Sequence, residues 1–433
     1  MKKILVIGGG FAGLASSVYL ANQNYKVTLV ESSPKFGGRA YSIFNEKYND
    51  YYDNGQHIMM GCYKKTLDYL AIINSSYLLE FPNYLSINFV KRSGSLFQLK
   101  SSQKLYPFNL VEAILHFKAL RMKSKIKIID FFLDLLCCYS CDLKNKTVIQ
   151  WLIDKRQTPE SIKNFWEILV VGALNTSIGK ASAQIFAEIL KRIFFDGTSS
   201  SSIVISKVGL SQLYVEPSIK FLLEKGSEIN SSESINKFVA KDNRIISVES
   251  NKRNYVDYDY VISAVPVYSL VRIFENSSIS NFRLPVLKYS TILNIHLWLT
   301  ENQFTERFYG LMDSNIHWVF NHGGHISITI SNADSYKDYS EKEILNVIYS
   351  DLEIFFPIFK SSLVKDFKVI KEKRATFIPD TNSIIDREGI EVPFENLILA
   401  GDWTIPTLPA TIESAVLSAH NAKEKILNHI GHL

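Results

Sequence analysis

Features that would assign this sequence to a class of protein at once are scarce. Its 433 residues include only four cysteines, and its formal net charge is +5. So few thiols cannot build a disulfide framework, which favours a reducing compartment. The charge is slight and no basic block with interleaved aromatic residues occurs, so nucleic acid is not an expected partner.

Long apolar runs are also absent from the sequence. No segment approaches the roughly 18 uninterrupted apolar residues that a membrane-spanning helix needs. The first residues, MKKILVIGGG, resemble a signal peptide only superficially, because a glycine turn ends the apolar run and no small-residue cleavage site follows. We therefore expect a cytoplasmic protein.

Three of the cysteines lie close together, at Cys137, Cys138 and Cys141. A Cys-x-x-Cys pair can bind a metal or act in redox chemistry, but no histidine lies nearby and Cys62 is the remaining thiol. The preceding segment IIDFFLDLL predicts a helix on which Cys137 and Cys141 share a buried face. We expect small apolar residues here and predict no metal site.

Apolar side chains, by contrast, are plentiful. Hydrophobic residues make up 46% of the chain, and 27 phenylalanines and 22 tyrosines are present. The length exceeds that of one ordinary core, so two domains are expected. The aromatic residues could line a pocket for an apolar ligand, although core packing explains them as simply.

The segment KILVIGGGFAGLASSVYLANQNYKVTLVE predicts a strand, a glycine turn, a helix and a second strand. Gly8, Gly10 and Gly13 fit the spacing G-x-G-x-x-G, in which glycine permits the tight turn, close approach of a pyrophosphate, and close helix–strand packing. Glu31 ends the second strand, where it can accept hydrogen bonds from ribose hydroxyls. With Ala12 in the first turn of the helix, these residues predict a dinucleotide site.

After Glu31 the chain continues SSPKFGGRA, which places Gly38 and Arg39 at the spacing E-x(5)-GGR. This continuation resembles the flavoprotein superfamily of amine oxidases and phytoene desaturases. The resemblance implies FAD rather than NAD, with Gly38 and Arg39 beside it. No cysteine or histidine stands at a recognisable attachment spacing, so we expect non-covalent FAD. A second dinucleotide motif for NADPH is not visible, and the electron donor stays unidentified.

The C-terminal segment NLILAGDWTIPTLPATIESAV resembles the same superfamily. The resemblance implies that Gly401 and Asp402 lie near the ribityl-phosphate part of FAD, and that a helix beginning at Thr411 and Ile412 points at the isoalloxazine ring. The positive end of that helix would stabilise negative charge on a reduced flavin. A plainer interpretation, in which Thr411 caps an ordinary helix, explains the threonine but not the preceding Gly-Asp pair.

The same resemblance implies an α/β fold, a Rossmann-like FAD-binding domain with a discontinuous α+β substrate domain. EPSIKFLLEKG predicts a helix, SINKFVAKDNRIISVES a hairpin with an Asp-Asn turn, and DYVISAVP a buried strand. In related folds the backbone at Ile235 holds the adenine. We predict an FAD-binding domain of residues 1–65, 205–266 and 391–433, and a substrate domain of residues 66–204 and 267–390.

Several stretches carry a more specific resemblance, to hydroxysqualene dehydroxylase, also called squalene-associated FAD-dependent desaturase. They are DNGQHIMMGCYKKTLDYL (53–70), WEILVVGALNTSIGKASAQIFAEILK (166–191), LSQLYVEPSIKFL (210–222), EKRATFIPD (372–380) and the C-terminal segment. The resemblance covers essentially the whole chain. It implies that reduced FAD converts hydroxysqualene, a long-chain isoprenoid alcohol, to squalene and water in squalene and hopanoid synthesis.

Other flavin chemistries remain as alternatives. A carotenoid or phytoene-type desaturase would share the lipid pocket and run the flavin in the oxidative direction. An amine oxidase is less favoured, because Leu408 stands where those enzymes place an aromatic residue of the amine cage. A non-catalytic flavin-binding protein would predict a damaged nucleotide site, whereas the motif glycines, Glu31, Arg39 and Asp402 are all present.

Hydroxide leaves poorly, so loss of a hydroxyl needs a proton donor or strong hydrogen-bond donor. His57 in DNGQH is our candidate, because the motif leads towards the flavin in the resembled family. His57 could instead be structural or contact the flavin, with Gly55 and Gln56 beside the ring. Asp53 could orient His57 or bond to backbone.

The strand STILNIHLWLT is predicted to be half-buried, with Asn294 on a polar face that lines a pocket or meets solvent.

Residues 104–138 mix large apolar side chains with cations, which are Lys104, Lys118, Arg121, Lys123, Lys125 and Lys127. A helix with an apolar face and a basic border can lie at an anionic membrane interface, here the inner face, where a poorly soluble substrate would collect. Asp130 and Asp134 interrupt the apolar part and argue against insertion. An ordinary amphipathic helix that covers the substrate domain is the other interpretation.

Overall fold

The computed structural model describes residues 2–82, 84–102, 106–137 and 142–431. Lys104, Cys138 and Cys141 lie outside these ranges. The strands of the described residues are β1 (Lys3–Ile7), β2 (Lys26–Val30), β3 (Ser42–Asn45), β4 (Asp50–Asp53), β5 (Met59–Met60), β6 (Leu79–Glu80), β7 (Ser86–Val90), β8 (Leu96–Lys100), β9 (Ile203–Ser206), β10 (Glu228–Asn230), β11 (Ile235–Lys241), β12 (Arg244–Ser250), β13 (Asn254–Val256), β14 (Tyr260–Ser263), β15 (Tyr289–Leu299), β16 (Phe308–Leu311), β17 (Trp318–Asn321), β18 (His325–Ile330), β19 (Val364–Phe377) and β20 (Leu397–Leu399).

The α-helices of the same residues are partly clustered along the chain. They are α1 (Phe11–Asn22), α2 (Lys64–Ile72), α3 (Phe108–His116), α4 (Met122–Cys137), α5 (Val148–Asp154), α6 (Pro159–Ser161), α7 (Glu167–Leu174), α8 (Ala183–Phe195), α9 (Glu216–Glu224), α10 (Val267–Asn276), α11 (Glu341–Phe355), α12 (Thr381–Glu388) and α13 (Ile412–Gly431). Helices α3 to α8 follow one another between β8 and β9.

The first and last segments of the chain meet in one parallel sheet, with the strand order β10-β2-β1-β14-β20. Alternate residues of β1 enter two cores: Ile4 and Val6 pack with α1, α9 and α13, whereas Leu5 and Ile7 pack with α10 and the β11–β12–β13 sheet. Burial on both faces explains the continuous apolar run of β1, as is usual for parallel sheets. The predicted α/β class is confirmed.

The local predictions around residues 216–263 are also confirmed. Helix α9 has Pro217 in its first turn. The β11–β12 hairpin turns through Asp242 and Asn243, whose φ angles of 49° and 57° are the left-handed values that a two-residue hairpin turn needs. The last predicted strand is β14, and all four of its residues are buried.

A mixed seven-stranded sheet, in the order β19-β15-β18-β17-β16-β7-β8, forms the second large unit. One face packs on α11, and the other packs on a core built mainly from α3 to α8. The expectation of a half-buried strand at residues 289–299 is wrong, because Asn294, His296 and Trp298 are buried like the alternate aliphatic residues. The hairpin β3–β4 covers this face: Tyr52 lies 4.9 Å from His296 between ring centres.

The division into domains remains a prediction, and the packing favours two changes in its boundaries. Tyr69 and Leu70 of α2 belong to the core shared by α1 and α13. Leu270 and Phe274 of α10 belong to the core on the other face of the parallel sheet. Helices α2 and α10 therefore pack with the nucleotide elements, although both were assigned to the substrate domain.

Helix α4 corrects three expectations for residues 104–138. Lys125 is buried and its Nζ donates to the carbonyl of Leu115 at 2.6 Å, so it cannot belong to a basic surface. Asp130 pairs with Lys127 at 3.2 Å on the polar side of the helix, so it does not interrupt the apolar side. Cys137 is exposed rather than buried. Within the described ranges, no helix combines the length and apolar character needed to cross a bilayer.

Candidate active site

The glycine-rich turn after β1 shows why each glycine is needed. Gly8 has a φ of +105°, and a Cβ on it would stand 2.8 Å from the carbonyl oxygen of Ala264. A Cβ on Gly13 would stand 1.7 Å from the carbonyl oxygen of Gly8. At Gly10 the nearest atom, Cα of Gly38, is 3.7 Å from a Cβ, so a Cβ here would make only an ordinary van der Waals contact. Two glycines are thus required by packing, and Gly10 leaves space for a ligand.

The Gly-Gly-Arg loop lies directly against this turn. The Gly37 amide donates to the carbonyl of Gly9 at 2.8 Å, and Gly38 has a φ of +58°. The Tyr214 hydroxyl lies 2.8 Å and 2.6 Å from the carbonyl oxygens of Gly37 and Ala40, and its ring stacks on Phe11. Tyr214 was not among the predicted site residues, although it holds this loop in place.

The carboxylate of Glu31 is fixed by backbone amides. It accepts hydrogen bonds from the amides of Gly9 at 2.6 Å and Ser33 at 2.7 Å. Its side chain also lines the cavity described below. Carboxylate oxygens can accept further hydrogen bonds, so Glu31 still has capacity for a ribose hydroxyl. That contact remains a prediction.

Arg39 joins three segments that are far apart in the sequence. Its guanidinium donates to the carboxylate of Asp402 at 2.7 Å and to the carbonyl of Ala375 at 2.9 Å. Asp402 is nearly buried, with 6% of its side chain exposed. A buried carboxylate needs such a partner, since its desolvation is unfavourable. The Gly-Gly-Arg, Lys-Arg-Ala-Thr-Phe and Gly-Asp motifs therefore converge at one charge pair.

The N-terminus of α13 opens into the same space. Thr411 caps the helix, because its Oγ1 accepts from the Ser414 amide at 3.1 Å, and it also lines the cavity. The next two amides, of Ile412 and Glu413, have no acceptor within a helix. The Glu413 carboxylate turns away and accepts from the α2 amides of Lys65 and Thr66 at 3.0 Å and 2.9 Å. Both interpretations of Thr411 are thus compatible with the structure.

A buried arginine that the sequence analysis missed shapes the loop before α13. Arg387 is 1% exposed and donates to the carbonyls of Ile405, Pro406 and Leu408 at 2.7 to 2.8 Å. Burial lowers the pKa of Arg387 to about 10, which leaves it charged at neutral pH. Four of its five N–H donors meet backbone carbonyls, counting the bond to Ser383. Only the tertiary structure reveals this role.

His57 stands where the nucleotide region meets the second unit. Its Nδ1 lies 2.7 Å from the carbonyl oxygen of Gly55, so in the neutral ring Nδ1 carries the proton and Nε2 is an acceptor. Burial and the nearby Arg39 lower the pKa of His57. Asp53 does not contact His57: it accepts from Ser42 Oγ at 2.7 Å and the Leu210 amide at 2.9 Å, and burial raises its pKa to about 6.

One cavity of about 1080 Å³ connects these groups. The predicted site residues that line it are Gly8, Gly10, Ala12, Glu31, Gly38, Arg39, Gly55, Gln56, His57, Ile235, Gly401, Asp402, Thr411 and Ile412. Gly13 does not line it and acts through packing. Most of the lining from the second unit is aliphatic or aromatic, although Asn175, Arg192 and Asn294 also belong to it. The apolar residues come from several helices and the seven-stranded sheet, and include Ile114, Phe132, Leu169, Ala173, Ile189 and Phe320.

The cavity thus has a nucleotide end, made of backbone turns and charged groups, and an apolar end. Residues 11–427 match the family described as flavin containing amine oxidoreductase, so the chain belongs to this family. It is a flavin-dependent oxidoreductase, and its cofactor is FAD.

Individual relatives are similar over almost their whole length. A hydroxysqualene dehydroxylase from Zymomonas mobilis is 26% identical over 430 residues, which covers 98% of this chain and 99% of the relative. A 15-cis-phytoene desaturase from Synechococcus elongatus is 22% identical, with 98% and 96% covered. The crystal structure of an oxidoreductase from Methanosarcina mazei has a TM-score of 0.73 at 16% identity, with 98% and 100% covered. The first relative agrees with the family resemblance found in the motifs.

The residues present fit FAD. Gly10 leaves open space in front of the α1 N-terminus, where phosphate groups are favoured by amide donors and the helix dipole. We expect Gly8, Gly10, Ala12 and Glu31 to hold the adenosine and pyrophosphate, with Ile235 at the adenine. Arg39, Gly401, Asp402, Thr411 and the amide of Ile412 would hold the flavin half. Cys62 also lines the cavity, but burial raises its pKa to about 12, so it is a poor nucleophile and non-covalent binding stays our prediction.

Proposed function

We propose that this enzyme removes the hydroxyl group of hydroxysqualene to yield squalene. The observation that carries the proposal is that one cavity of about 1080 Å³ joins the flavin motifs to a large and mostly apolar lining. A pocket with such a lining suits a long hydrocarbon chain, because burial of apolar surface supplies the binding free energy. The relative from Zymomonas mobilis supports this substrate class, since its name states the same alcohol.

The reaction breaks one C–O bond and forms one C–H bond. Reduced FAD, when bound, would supply the hydride, and one proton that reaches the site from solvent would allow the hydroxyl to leave as water. The chain's own residues hold the alcohol, exclude water with the apolar lining, and stabilise the departing oxygen. Neutral His57 presents an acceptor at Nε2, so a role as the proton donor would require the imidazolium, which its environment disfavours. That role stays a prediction.

Product analysis after anaerobic incubation with hydroxysqualene and chemically reduced FAD tests the proposal. We expect stoichiometric squalene. No squalene, together with desaturation of phytoene or squalene under oxidising conditions, would establish the alternative of a carotenoid-type desaturase.

We further propose that α4 contacts a membrane surface. Met122, Ile126, Leu133 and Leu136 are each about half exposed, at 55%, 50%, 54% and 47%. Their spacing places them on one side of the helix. Leu133 and Leu136 also line the cavity, so this exposed apolar face is continuous with the substrate pocket. Arg121 and Lys123 beside it are exposed cations suited to anionic lipid.

Co-sedimentation with anionic phosphatidylglycerol vesicles tests this contact. Because two apolar side chains leave the interface, Met122→Ser with Ile126→Ser should weaken binding roughly tenfold or more. Leu223→Ser with Ile246→Ser, which removes equally exposed apolar residues from α9 and β12, is the matched control and should bind normally. Equal binding by both double variants, or no binding by the native protein, would exclude α4 as the contact.

A further inference from the structure

The junction between the two ends of the cavity contains a second polar side chain, Asn294 on β15. It is 4% exposed and lines the cavity. It lies against Gly55, where an added Cβ would stand 2.8 Å from Asn294 Nδ2 and 3.5 Å from His57 Cε1. Asn294 and His57 therefore flank the same glycine at the point where the apolar lining begins.

Hydrogen bonds determine the orientation of the Asn294 amide. Its Oδ1 accepts from Thr329 Oγ1 at 3.0 Å and lies 3.4 Å from the backbone nitrogen of Gln56. A backbone N–H can only donate, so the oxygen must be on this side and Nδ2 on the other. Among the described residues Nδ2 has no acceptor, and it is not among the polar atoms sealed away from solvent. Its donors are therefore available to a molecule in the cavity.

The two side chains together complement an alcohol. A hydroxyl group has one donor hydrogen and two acceptor lone pairs. Asn294 Nδ2 offers donors, and Nε2 of neutral His57, which has no partner among the described residues, offers an acceptor. We propose, on the basis of the function proposed above, that the Asn294 amide donates a hydrogen bond to the hydroxyl oxygen of the substrate. A hydrocarbon product could not use this donor, so Asn294 would favour the alcohol over the alkene.

The same hydrogen bond would assist the reaction. Negative charge develops on the oxygen as the C–O bond breaks, and a fixed amide donor in a pocket that excludes water stabilises such charge. Loss of one donor of this kind lowers kcat by roughly a hundredfold. The donor is held ready by Thr329 and Gln56, so no reorganisation is needed when the bond breaks.

Two measurements test the inference. The FAD-loaded protein is titrated with hydroxysqualene and with squalene, and binding is followed through the flavin absorbance. Turnover of hydroxysqualene is measured separately. The native protein should bind the alcohol more tightly than the hydrocarbon. In Asn294→Leu the preference for the alcohol should fall roughly tenfold, towards equal affinities, while squalene binding stays normal. The kcat of this variant should fall about a hundredfold. Asn88→Leu is the control: Asn88 is a buried asparagine of the same sheet that bonds Glu306 and does not line the cavity. It should keep the preference.

A second variant covers a failure of Asn294→Leu to fold or to retain FAD. Asn294→Asp keeps an oxygen for Thr329 and Gln56 but removes the donor, and should lose the preference for the alcohol in the same way. The inference would be overturned if either variant folded and kept both the native preference for hydroxysqualene over squalene and the native kcat. It would also be overturned if a variant changed the affinity for FAD and left that preference unchanged. A native protein that neither binds nor converts hydroxysqualene would count against the proposed function instead.

Discussion

The two ends of the cavity are built by different physical means. At the nucleotide end the chain itself forms the surface, through glycines whose contacts leave no room for a Cβ and through amides at helix N-termini. At the apolar end the surface is made of side chains from helices and strands that are distant in the sequence. Backbone geometry demands particular residues at particular spacings, whereas an apolar wall accepts any side chains of suitable volume. Short glycine-rich and charged motifs therefore mark the first end.

The strongest test of this contrast compares two glycines in one motif. Gly10→Val should fold but bind no FAD, because the position is open in the protein and faces the ligand space. Gly13→Ala should instead destabilise the fold, since its Cβ would lie 1.7 Å from the Gly8 carbonyl oxygen. Flavin absorbance after incubation with FAD and thermal unfolding separate the two effects. A stable, yellow Gly10→Val protein would contradict the assignment of the open position to FAD.

The charge pair between the terminal motifs should have the next largest effect. Arg39→Leu leaves the nearly buried Asp402 without its cation and should lower the free energy of unfolding by about 3 kcal/mol. Asp402→Asn removes the charge that Arg39→Leu leaves unpaired. The double variant should therefore lose less free energy of unfolding than the sum of the losses in the two single variants. Denaturant unfolding at saturating FAD and without it provides the measurement. Strict additivity would mean that the two residues do not stabilise each other.

His57 lies between the two ends, and its replacement should affect turnover rather than cofactor content. His57→Ala should lower kcat by roughly a hundredfold with normal FAD. Loss of FAD along with turnover would favour the structural interpretation of His57. Normal turnover would remove it from the reaction altogether.

The pH profile then distinguishes the two possible forms of His57. Burial lowers its pKa in the folded protein, so the neutral ring persists through neutral pH and is protonated only below the ordinary value of about 6.5. If the neutral ring is the working form, kcat should be steady near neutral pH and fall as pH decreases through the lowered pKa. If the imidazolium is the acid, kcat should instead fall as the pH rises through the lowered pKa of His57. The His57→Ala profile is the control.

The smallest effect is expected at the apolar end, where no single residue is essential. Ala173→Phe projects a larger side chain into the pocket and should raise KM roughly tenfold, equivalent to about 1.4 kcal/mol of binding, with normal FAD content. Ala71→Phe, at an exposed position of α2, is the matched control and should not change KM. A loss of FAD in Ala173→Phe would show that the two ends are not independent.

Most of the nucleotide end could be predicted from the sequence, because short-range backbone requirements recur at fixed positions. The glycine turn, Glu31, the Gly-Gly-Arg loop and the residues from Gly401 to Ile412 all lie around one cavity. The supporting residues were missed for a physical reason: Tyr214 and Arg387 act on backbone carbonyls that are remote in the chain. An isolated tyrosine or arginine has no local signature for such contacts.

Residues 104–138 show the limit of composition as a guide. Six cations in this segment suggested a basic border, yet Lys125 is buried against the Leu115 carbonyl and Lys127 pairs with Asp130. The exposed apolar side of α4 was hidden in the sequence, because its buried face also carries large apolar residues. Which of two apolar faces meets the core depends on the neighbouring helices.

The sequence by itself determined the fold class, the family and the cofactor, since each depends on backbone patterns that local residues enforce. Only the tertiary structure decided that Asp53 turns away from His57, that both faces of β15 are buried, and that Asn294 stands beside His57 with no acceptor for its amide donor among the described residues. Those outcomes depend on which segments meet in space. Contacts between residues hundreds of positions apart are set by the packing of the whole chain, and no short stretch of sequence encodes them.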